Sequence, residues 1–204
     1  MSNTKRRPQP PTTKRAAKSS ASNNSLKTWL AVGGFVVVVA LVAVVVLSGV
    51  ESRGPSGIPE GTRVVAVGDP AHVEGDIDYG VLVPAGGPHN PQWQNCGFYS
   101  TPIRPENALH SLEHAAVWVT YRTDADGGTL DELRRLAGNH QKLVISPVQG
   151  QTPLVMATAW GHQLDLESAS DSRLSQFLNE FEGTAGYAPE PQGICFSGVG
   201  IPES

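Results

Sequence analysis

Three histidines in two short segments are the side chains best suited to chemistry in this sequence. His89 occurs in Gly-Gly-Pro-His-Asn-Pro, where the prolines restrict the backbone. His110 and His114 occur in His-Ser-Leu-Glu-His. Imidazole is the most frequent metal ligand among protein side chains. The clustering therefore predicts a small transition-metal site with His89, His110 and His114 as ligands.

Two further residues extend the predicted ligand set. Met156 is the only methionine after the initiator, and His162 follows six residues later. Thioether and imidazole together suit copper, whereas imidazole alone also suits zinc, so copper is preferred over zinc here. Glu113 is predicted to orient a ligand from outside the coordination shell. His72 and His140 are interpreted as surface residues.

The His-Ser-Leu-Glu-His segment also fits the H-x-x-E-H pattern of inverted zinc peptidases, with Glu113 as the base. That chemistry needs the two histidines one helical turn apart. The alternation of Val117, Val119 and Tyr121 directly afterwards predicts a strand instead of a helix. A metal-dependent hydrolase is therefore a remote alternative, and we do not expect an enzyme.

A second alternative needs no metal. The histidines could hydrogen-bond loop backbone and hold irregular structure in place. The domain would then be a non-enzymatic assembly or protein-binding module. The sequence shows neither a phosphate-binding P-loop nor the Gly-x-Ser-x-Gly turn of many hydrolases.

The two cysteines, Cys96 and Cys195, are predicted to form a structural disulfide. The pairing is expected because two cysteines in an oxidising compartment most often bond to each other. Two free thiols or a metal-binding pair are the alternatives. A redox role is not indicated, because the sequence has no Cys-x-x-Cys spacing.

The segment 29–50 predicts a single transmembrane helix. It is a run of 22 residues without a charge, and about 20 apolar residues span a bilayer core as a helix. Residues 1–28 are basic and polar and are predicted to be disordered. Lys and Arg concentrate before the span, so the tail is placed in the cytoplasm and the rest of the chain outside.

The rest of the chain divides into a Gly- and Pro-rich linker, residues 51–62, and one extracytoplasmic domain, residues 63–204. All 19 Asp and Glu residues follow residue 50, which argues against nucleic-acid binding because that requires neutralisation of phosphates. The expected partners are the lipid bilayer, through residues 29–50, and a membrane or envelope protein.

Hydrophobic patterning predicts an α+β domain, single, small and mixed, with long ordered loops. The expected strands are Ala115–Tyr121, Lys142–Ser146, Leu154–Trp160 and, more weakly, Arg63–Val67. The expected helices are Thr129–Ala137, with Thr129 as N-cap, and a second helix from Ser170 or Asp171 to Phe181. The segments 69–109 and 184–204 are expected to be loops.

Short motifs across the domain occur in a distinctive order: Pro84–His89 (PAGGPH), Trp93–Tyr99 (WQNCGFY), His110–His114 (HSLEH), Val117-Trp118, Thr158–Gly161 (TAWG), Ala188–Pro191 (APEP) and Cys195. With these motifs the chain resembles the bacterial domain-of-unknown-function family 3105 over about residues 70–200. Ala115 stands where the family pattern prefers Gly.

The resemblance implies a secreted or membrane-anchored bacterial domain behind one N-terminal span. It implies no biochemical activity. The residues it singles out are those already chosen on chemical grounds: His89, His110, Glu113, His114, Cys96 and Cys195.

Overall fold

The computed structural model describes residues 57–203. The predictions of a disordered tail, a transmembrane helix and most of a linker fall on residues 1–56 and lie outside this range. Within residues 57–203, no helix is both long enough and apolar enough to cross a membrane.

The described residues form an α+β domain, as the sequence predicts. Its helices are α1 (Pro105–Glu113), α2 (Gly127–Asn139) and α3 (Ser172–Phe181). Its strands are β1 (Arg63–Val64), β2 (Gly97–Phe98), β3 (Val117–Arg122), β4 (Leu143–Val148), β5 (Val155–Ala159) and β6 (His162–Leu166).

The six strands form one mixed sheet in the order β1-β6-β5-β3-β4-β2. β4 pairs in parallel with β3 and β2, while the β3–β5, β5–β6 and β6–β1 pairs are antiparallel. Side chains along a strand point alternately to the two faces, so β3 sends Val117 and Val119 to one face and Trp118 to the other.

The two faces of the sheet carry different helices. Apolar side chains of α2 and α3, such as Leu133 and Phe177, pack with Val119 in one core cluster. Leu109 and Leu112 of α1 pack with Trp118 in a second cluster. The face covered by α1 also carries the long loops before it, and the histidine cluster lies there.

The predicted strands are confirmed apart from their ends, but β2 and β6 were missed. Gly161, with φ 71°, forms the turn that brings β6 back against β5. The pattern of β6 reads His-Gln-Leu-Asp-Leu, in which only two residues are apolar. The prediction that α2 is capped by Thr129 is wrong, since Asp126 is the N-cap and accepts a hydrogen bond from Thr129 N at 2.7 Å.

Helix α1 contradicts the expectation that residues 69–109 form a loop. Pro105 stands in the first turn, where its missing N–H costs nothing. Ala108, Leu109 and Leu112 supply the apolar side that packs on the sheet. The polar residues between them are also buried, and this mixture concealed the helical period in the sequence.

The end of α1 holds Ala115 in a left-handed backbone conformation. Ala116 N donates to Ser111 O at 2.9 Å and Ala115 N donates to Leu112 O at 3.0 Å, which is the Schellman arrangement. Ala115 itself has φ 61°, in the left-handed region that glycine adopts more easily. The Ala in this chain therefore occupies a strained position.

Cys96 and Cys195 form a disulfide pair, with their Cα atoms 5.4 Å apart. The spacing lies within the usual range for such bonds. Residues 191–203, which we call the C-terminal strap, run beside residues 93–98 and hydrogen-bond to them, as in Asn95 N to Val199 O at 2.9 Å. The disulfide thus fixes the strap beside the loop that precedes β2.

Candidate metal centre

Helix α1 presents a buried polar edge to the surrounding loops. His110 and Glu113 lie in its last turn, and His114 is its C-cap residue. Residues three and four apart on a helix lie on one side, so these three side chains point in a common direction. All three are buried, with 4% of each residue exposed. Buried polar side chains need partners, and the neighbouring loops supply them.

Two loop segments bring further imidazoles to this edge. Val73 N donates to His89 O at 2.7 Å, and His89 N donates to Ala71 O at 2.9 Å. This backbone pairing sets His72 directly beside His89. His89 is fully buried, whereas the His72 side chain is 49% exposed.

Four donor atoms converge where the loops meet the helix. They are Nε2 of His72, His89 and His110 and a carboxylate oxygen of Glu113, all within 4.8 Å of one another. From Glu113 Oε2, the distances to the three nitrogens are 3.5 Å, 3.0 Å and 3.9 Å respectively. Donors around a tetrahedral zinc ion stand about 3.4 Å apart, given bonds of about 2.1 Å. The group therefore has the size of a metal coordination sphere.

Backbone carbonyls determine the tautomer of three of the rings. His89 Nδ1 donates to Gly87 O at 2.8 Å, and His110 Nδ1 donates to Asn90 O at 2.7 Å. His114 Nδ1 donates to Ile194 O in the C-terminal strap at 2.7 Å. A carbonyl oxygen can only accept, so each Nδ1 carries the proton and the neutral ring keeps its lone pair on Nε2. Such second contacts orient metal-binding histidines in many proteins.

With these tautomers, acceptor atoms face each other inside the cluster. His110 Nε2 lies 3.1 Å from His114 Nε2, and both atoms carry lone pairs. His89 Nε2 lies 3.0 Å from Glu113 Oε2, where a lone pair faces a carboxylate. Neither contact is a hydrogen bond unless an additional proton is present.

Burial keeps the His110 ring neutral. Desolvation lowers the pKa of His110 to about 4, against the opposing effect of its hydrogen bond to Asn90, and the neighbouring imidazoles lower the pKa further. The ring is therefore uncharged at neutral pH, and its Nε2 lone pair is available to a cation.

Aromatic rings and glycine backbone close the site. The Trp93 ring packs against His110 and His114 with centroids 5.6 Å and 5.3 Å apart, and the Trp160 ring packs edge-on against His89. Gly193 passes so close to the His114 ring that a Cβ there would lie 2.2 Å from it. The side chains of His89, His110 and His114 are thus almost fully buried, whereas that of His72 is 49% exposed.

The structure brings together some of the predicted ligands and adds one. His89 and His110 belong to the converging group, and His114 contacts only His110 within it. His72, interpreted from sequence as a surface residue, is a member of the group. It reaches the site through a non-local backbone pairing that leaves no periodic signal, so only its residue type could have suggested it.

Met156 and His162 lie apart from the converging group. Met156 packs on the apolar cluster around Trp118. His162 donates from Nδ1 to Trp160 O, and its ring contacts Phe181 and Tyr187. Met156 lies in β5 and His162 is the first residue of β6. The sequence does not show where these strands lie relative to the loops that carry the other histidines.

Three other sequence interpretations can be compared with the geometry. Glu113 was predicted to orient a ligand from outside the coordination shell, whereas its carboxylate oxygen lies among the converging donor atoms. The helical context judged absent around His110 and His114 is present, because α1 covers residues 105–113. His140 is not a free surface residue either, since its ring pairs with the Glu182 carboxylate.

Comparison with known proteins gives one match. The family model described as "Protein of unknown function (DUF3105)" matches residues 72–197, more than half of the chain. No curated protein and no solved structure matches the chain.

Proposed function

We propose that this chain, which belongs to the DUF3105 family of proteins of unknown function, binds a transition-metal ion through His72, His89, His110 and Glu113. Three imidazole nitrogens and one carboxylate oxygen form a donor set that suits such ions. Three of the four residues are buried, which gives the ion a dry, shaped cavity.

The facing of acceptor atoms is the observation that carries this proposal. Nε2 of His89 faces the Glu113 carboxylate, and Nε2 of His110 faces Nε2 of His114. A buried polar atom without a partner costs about 1–3 kcal/mol, and facing lone pairs repel in addition. A cation placed among His72, His89, His110 and Glu113 makes the His89 nitrogen and the Glu113 oxygen ligands and removes the penalty of their contact. The same cation also takes up the lone pair of His110 Nε2.

The donor set favours zinc over copper. The preference for copper rested on a thioether ligand, and Met156 packs elsewhere. Imidazole and carboxylate donors at tetrahedral spacing are typical of zinc, while copper(II) accepts the same donors in a flatter geometry. We therefore propose zinc first and copper second.

We also propose that residues 29–50 anchor the domain in the cell membrane with its N-terminus in the cytoplasm. The support is the uncharged apolar run that follows a basic tail. The Cys96–Cys195 pair is consistent with an oxidising compartment. A membrane or envelope protein is the proposed partner in that setting.

Metal analysis tests the metal proposal. The purified full chain, loaded with Zn²⁺ and desalted, should retain at least about one equivalent. His72→Ala should lower the content by about one equivalent, because it removes a ligand from a half-exposed position that the fold does not need. His162→Asn, which changes an imidazole outside the group, should leave the content unchanged and serves as the control.

Retention of less than about a tenth of an equivalent by the unaltered chain would refute the proposal, since a site with these ligands should hold zinc firmly. The domain would then be the non-enzymatic assembly or binding module. In that case, replacing His110 and His114 by Ala should lower the melting temperature equally with and without Zn²⁺.

A further inference from the structure

We infer that the cluster holds a second metal ion, with His110, His114 and Glu190 as its ligands. The inference rests on the proposed function and concerns how many ions the cluster takes. The donors in the cluster outnumber the ligands of one tetrahedral ion: they are Nε2 of His72, His89, His110 and His114 and the carboxylates of Glu113 and Glu190.

We assign these donors to two groups of three, because His110 Nε2 lies closer to His114 Nε2, at 3.1 Å, than to Glu113 Oε2, at 3.9 Å. In the inner group, Nε2 of His72 and of His89 lie 3.5 Å and 3.0 Å from Glu113 Oε2. In the outer group, His114 Nε2 lies 3.1 Å from His110 Nε2 and 3.8 Å from Glu190 Oε2. Each group has two imidazoles and one carboxylate, a ligand set that zinc uses with its fourth position open.

One ion leaves the outer group unexplained. His114 is not among the residues whose donor atoms all lie within 4.8 Å of one another, so it does not reach the inner position. An ion held by the inner group and His110 would leave the His114 lone pair buried against a ligated nitrogen. A second ion between His110 and His114 gives both nitrogens a partner.

His110 lies between the two groups, close enough to contribute a ligand to either one. Its Nε2 lies 3.9 Å from Glu113 Oε2, and it completes the inner group when one ion is bound. A ring nitrogen ligates one ion at a time, so His110 passes to the outer group when two are bound. Ions in two-metal sites stand about 3.5–4 Å apart, a separation that neighbouring groups of this size allow.

Glu190 is held in place for this role by its backbone. Glu190 N donates to Glu113 O at 2.9 Å, which fixes the segment before the C-terminal strap to the end of α1. Its carboxylate is 61% exposed, while the ring of His114 beside it is 6% exposed. The outer group therefore borders solvent, and an ion can reach it without displacing the one inside.

The test is Zn²⁺ stoichiometry by equilibrium dialysis and metal analysis of the purified full chain. We expect two equivalents for the unaltered chain. Glu190→Gln keeps the shape of an exposed side chain and should retain one equivalent, as should His114→Ala. His72→Ala should also retain one, because it disables the inner group only. Glu167→Gln, an exposed carboxylate outside the cluster, is the matched control and should retain two.

The outcomes separate the two proposals. One equivalent in the unaltered chain, unchanged by Glu190→Gln, would overturn the second ion and leave the first; a proton shared between His110 and His114 would then relieve their contact. Two equivalents that persist in both the Glu190→Gln and His114→Ala proteins would overturn the assignment of these ligands. No zinc in any protein would refute the proposed function itself.

Discussion

The partner of each Nδ1 atom decides what the opposite ring nitrogen can do. Gly87, Asn90 and Ile194 offer carbonyl oxygens to three rings, and the three Nε2 atoms are left as acceptors in a buried space. If the histidines only supported the loops, the same carbonyl contacts would suffice, and the Nε2 atoms would not need to face one another. Their convergence is the observation that favours the proposed metal site over loop support.

A residue outside the cluster gives a test of pH dependence. The Glu182 carboxylate accepts hydrogen bonds from Gln141 N at 3.0 Å and Lys142 N at 2.8 Å and pairs with the His140 ring. Burial alone would raise the pKa of Glu182, but the His140 ring and the backbone N–H donors outweigh it and lower the pKa. The carboxylate thus stabilises the fold above the unfolded-state pKa, and this stability is lost as pH falls through the folded-state value.

We predict that Glu182→Gln lowers the free energy of unfolding at pH 7 by about 1–3 kcal/mol, through weaker hydrogen bonds to a neutral amide. Urea unfolding of both proteins from pH 7 to pH 3 measures the effect. The difference between them should shrink below the ordinary glutamate pKa. A difference that is constant over this range would contradict the ionised role of Glu182.

Sequence reasoning identified the histidines that stand in conspicuous short motifs and missed His72, which stands in none. His110, Glu113 and His114 stand within five residues, so their residue types indicated that they act together, although the helix that carries them was not predicted. His72 comes into the site by backbone pairing with the segment around His89, which no spacing rule predicts. Met156 was proposed on its thioether chemistry, and only the strand register shows where it points.

At the scale of elements, the end of α1 sets the direction of the site. The Schellman turn at Ala115 stops the helix directly after His114, so the chain leaves into β3 while the imidazoles remain at the helix end. Left-handed backbone costs an L-residue about 1–2 kcal/mol, and glycine escapes most of that cost. This chain has alanine there.

Ala115→Gly is therefore predicted to stabilise the protein by up to about 1 kcal/mol, despite the loss of one buried methyl group. Thermal or denaturant unfolding measures it. Ala116→Gly provides the control, because Ala116 is equally buried but is not among the residues of positive φ. It should destabilise by about 1 kcal/mol. Equal destabilisation by both changes would show that the turn at Ala115 carries no strain.

The elements predicted from sequence were those with a regular apolar period. β3, β4 and α3 have one, and their positions agree with the structure within about two residues. Helix α1 lacked a recognisable period because Glu106, Asn107, His110, Ser111 and Glu113 are polar and yet buried. For that reason, the sequence of a helix with many buried polar residues can look like that of a loop.

At the scale of the whole molecule, the sheet separates the larger apolar cluster on one face from the histidine cluster on the other. One face carries α2 and α3 over an apolar cluster, and the other carries α1 and the site loops. The fold class was predictable from the order of strands and helices. The irregular face was not, since its loops are held by contacts such as Asn95 Nδ2 to Gly200 O at 2.7 Å, across more than half of the domain.

The disulfide should supply much of the stability of that irregular face. Its cysteines are 99 residues apart, and closing a loop of about 100 residues is worth up to about 4.7 kcal/mol in the chain-entropy model. Changing both Cys96 and Cys195 to Ala should lower the unfolding free energy by about 2–5 kcal/mol in denaturant titration.

Reducing the unaltered protein with a dithiol, without any mutation, controls for the altered side chains and should produce a similar loss. A change of less than about 1 kcal/mol in both experiments would mean that hydrogen bonds alone hold the C-terminal strap.

The Ile194 carbonyl holds the ring of His114, and its neighbour Cys195 is cross-linked to Cys96, so one short segment joins the disulfide to the cluster. All of the clustered histidines precede Ile194 in the chain, so His114 lacks its carbonyl partner until Ile194 has been synthesised. We therefore expect reduction of the disulfide to weaken the contact that orients His114.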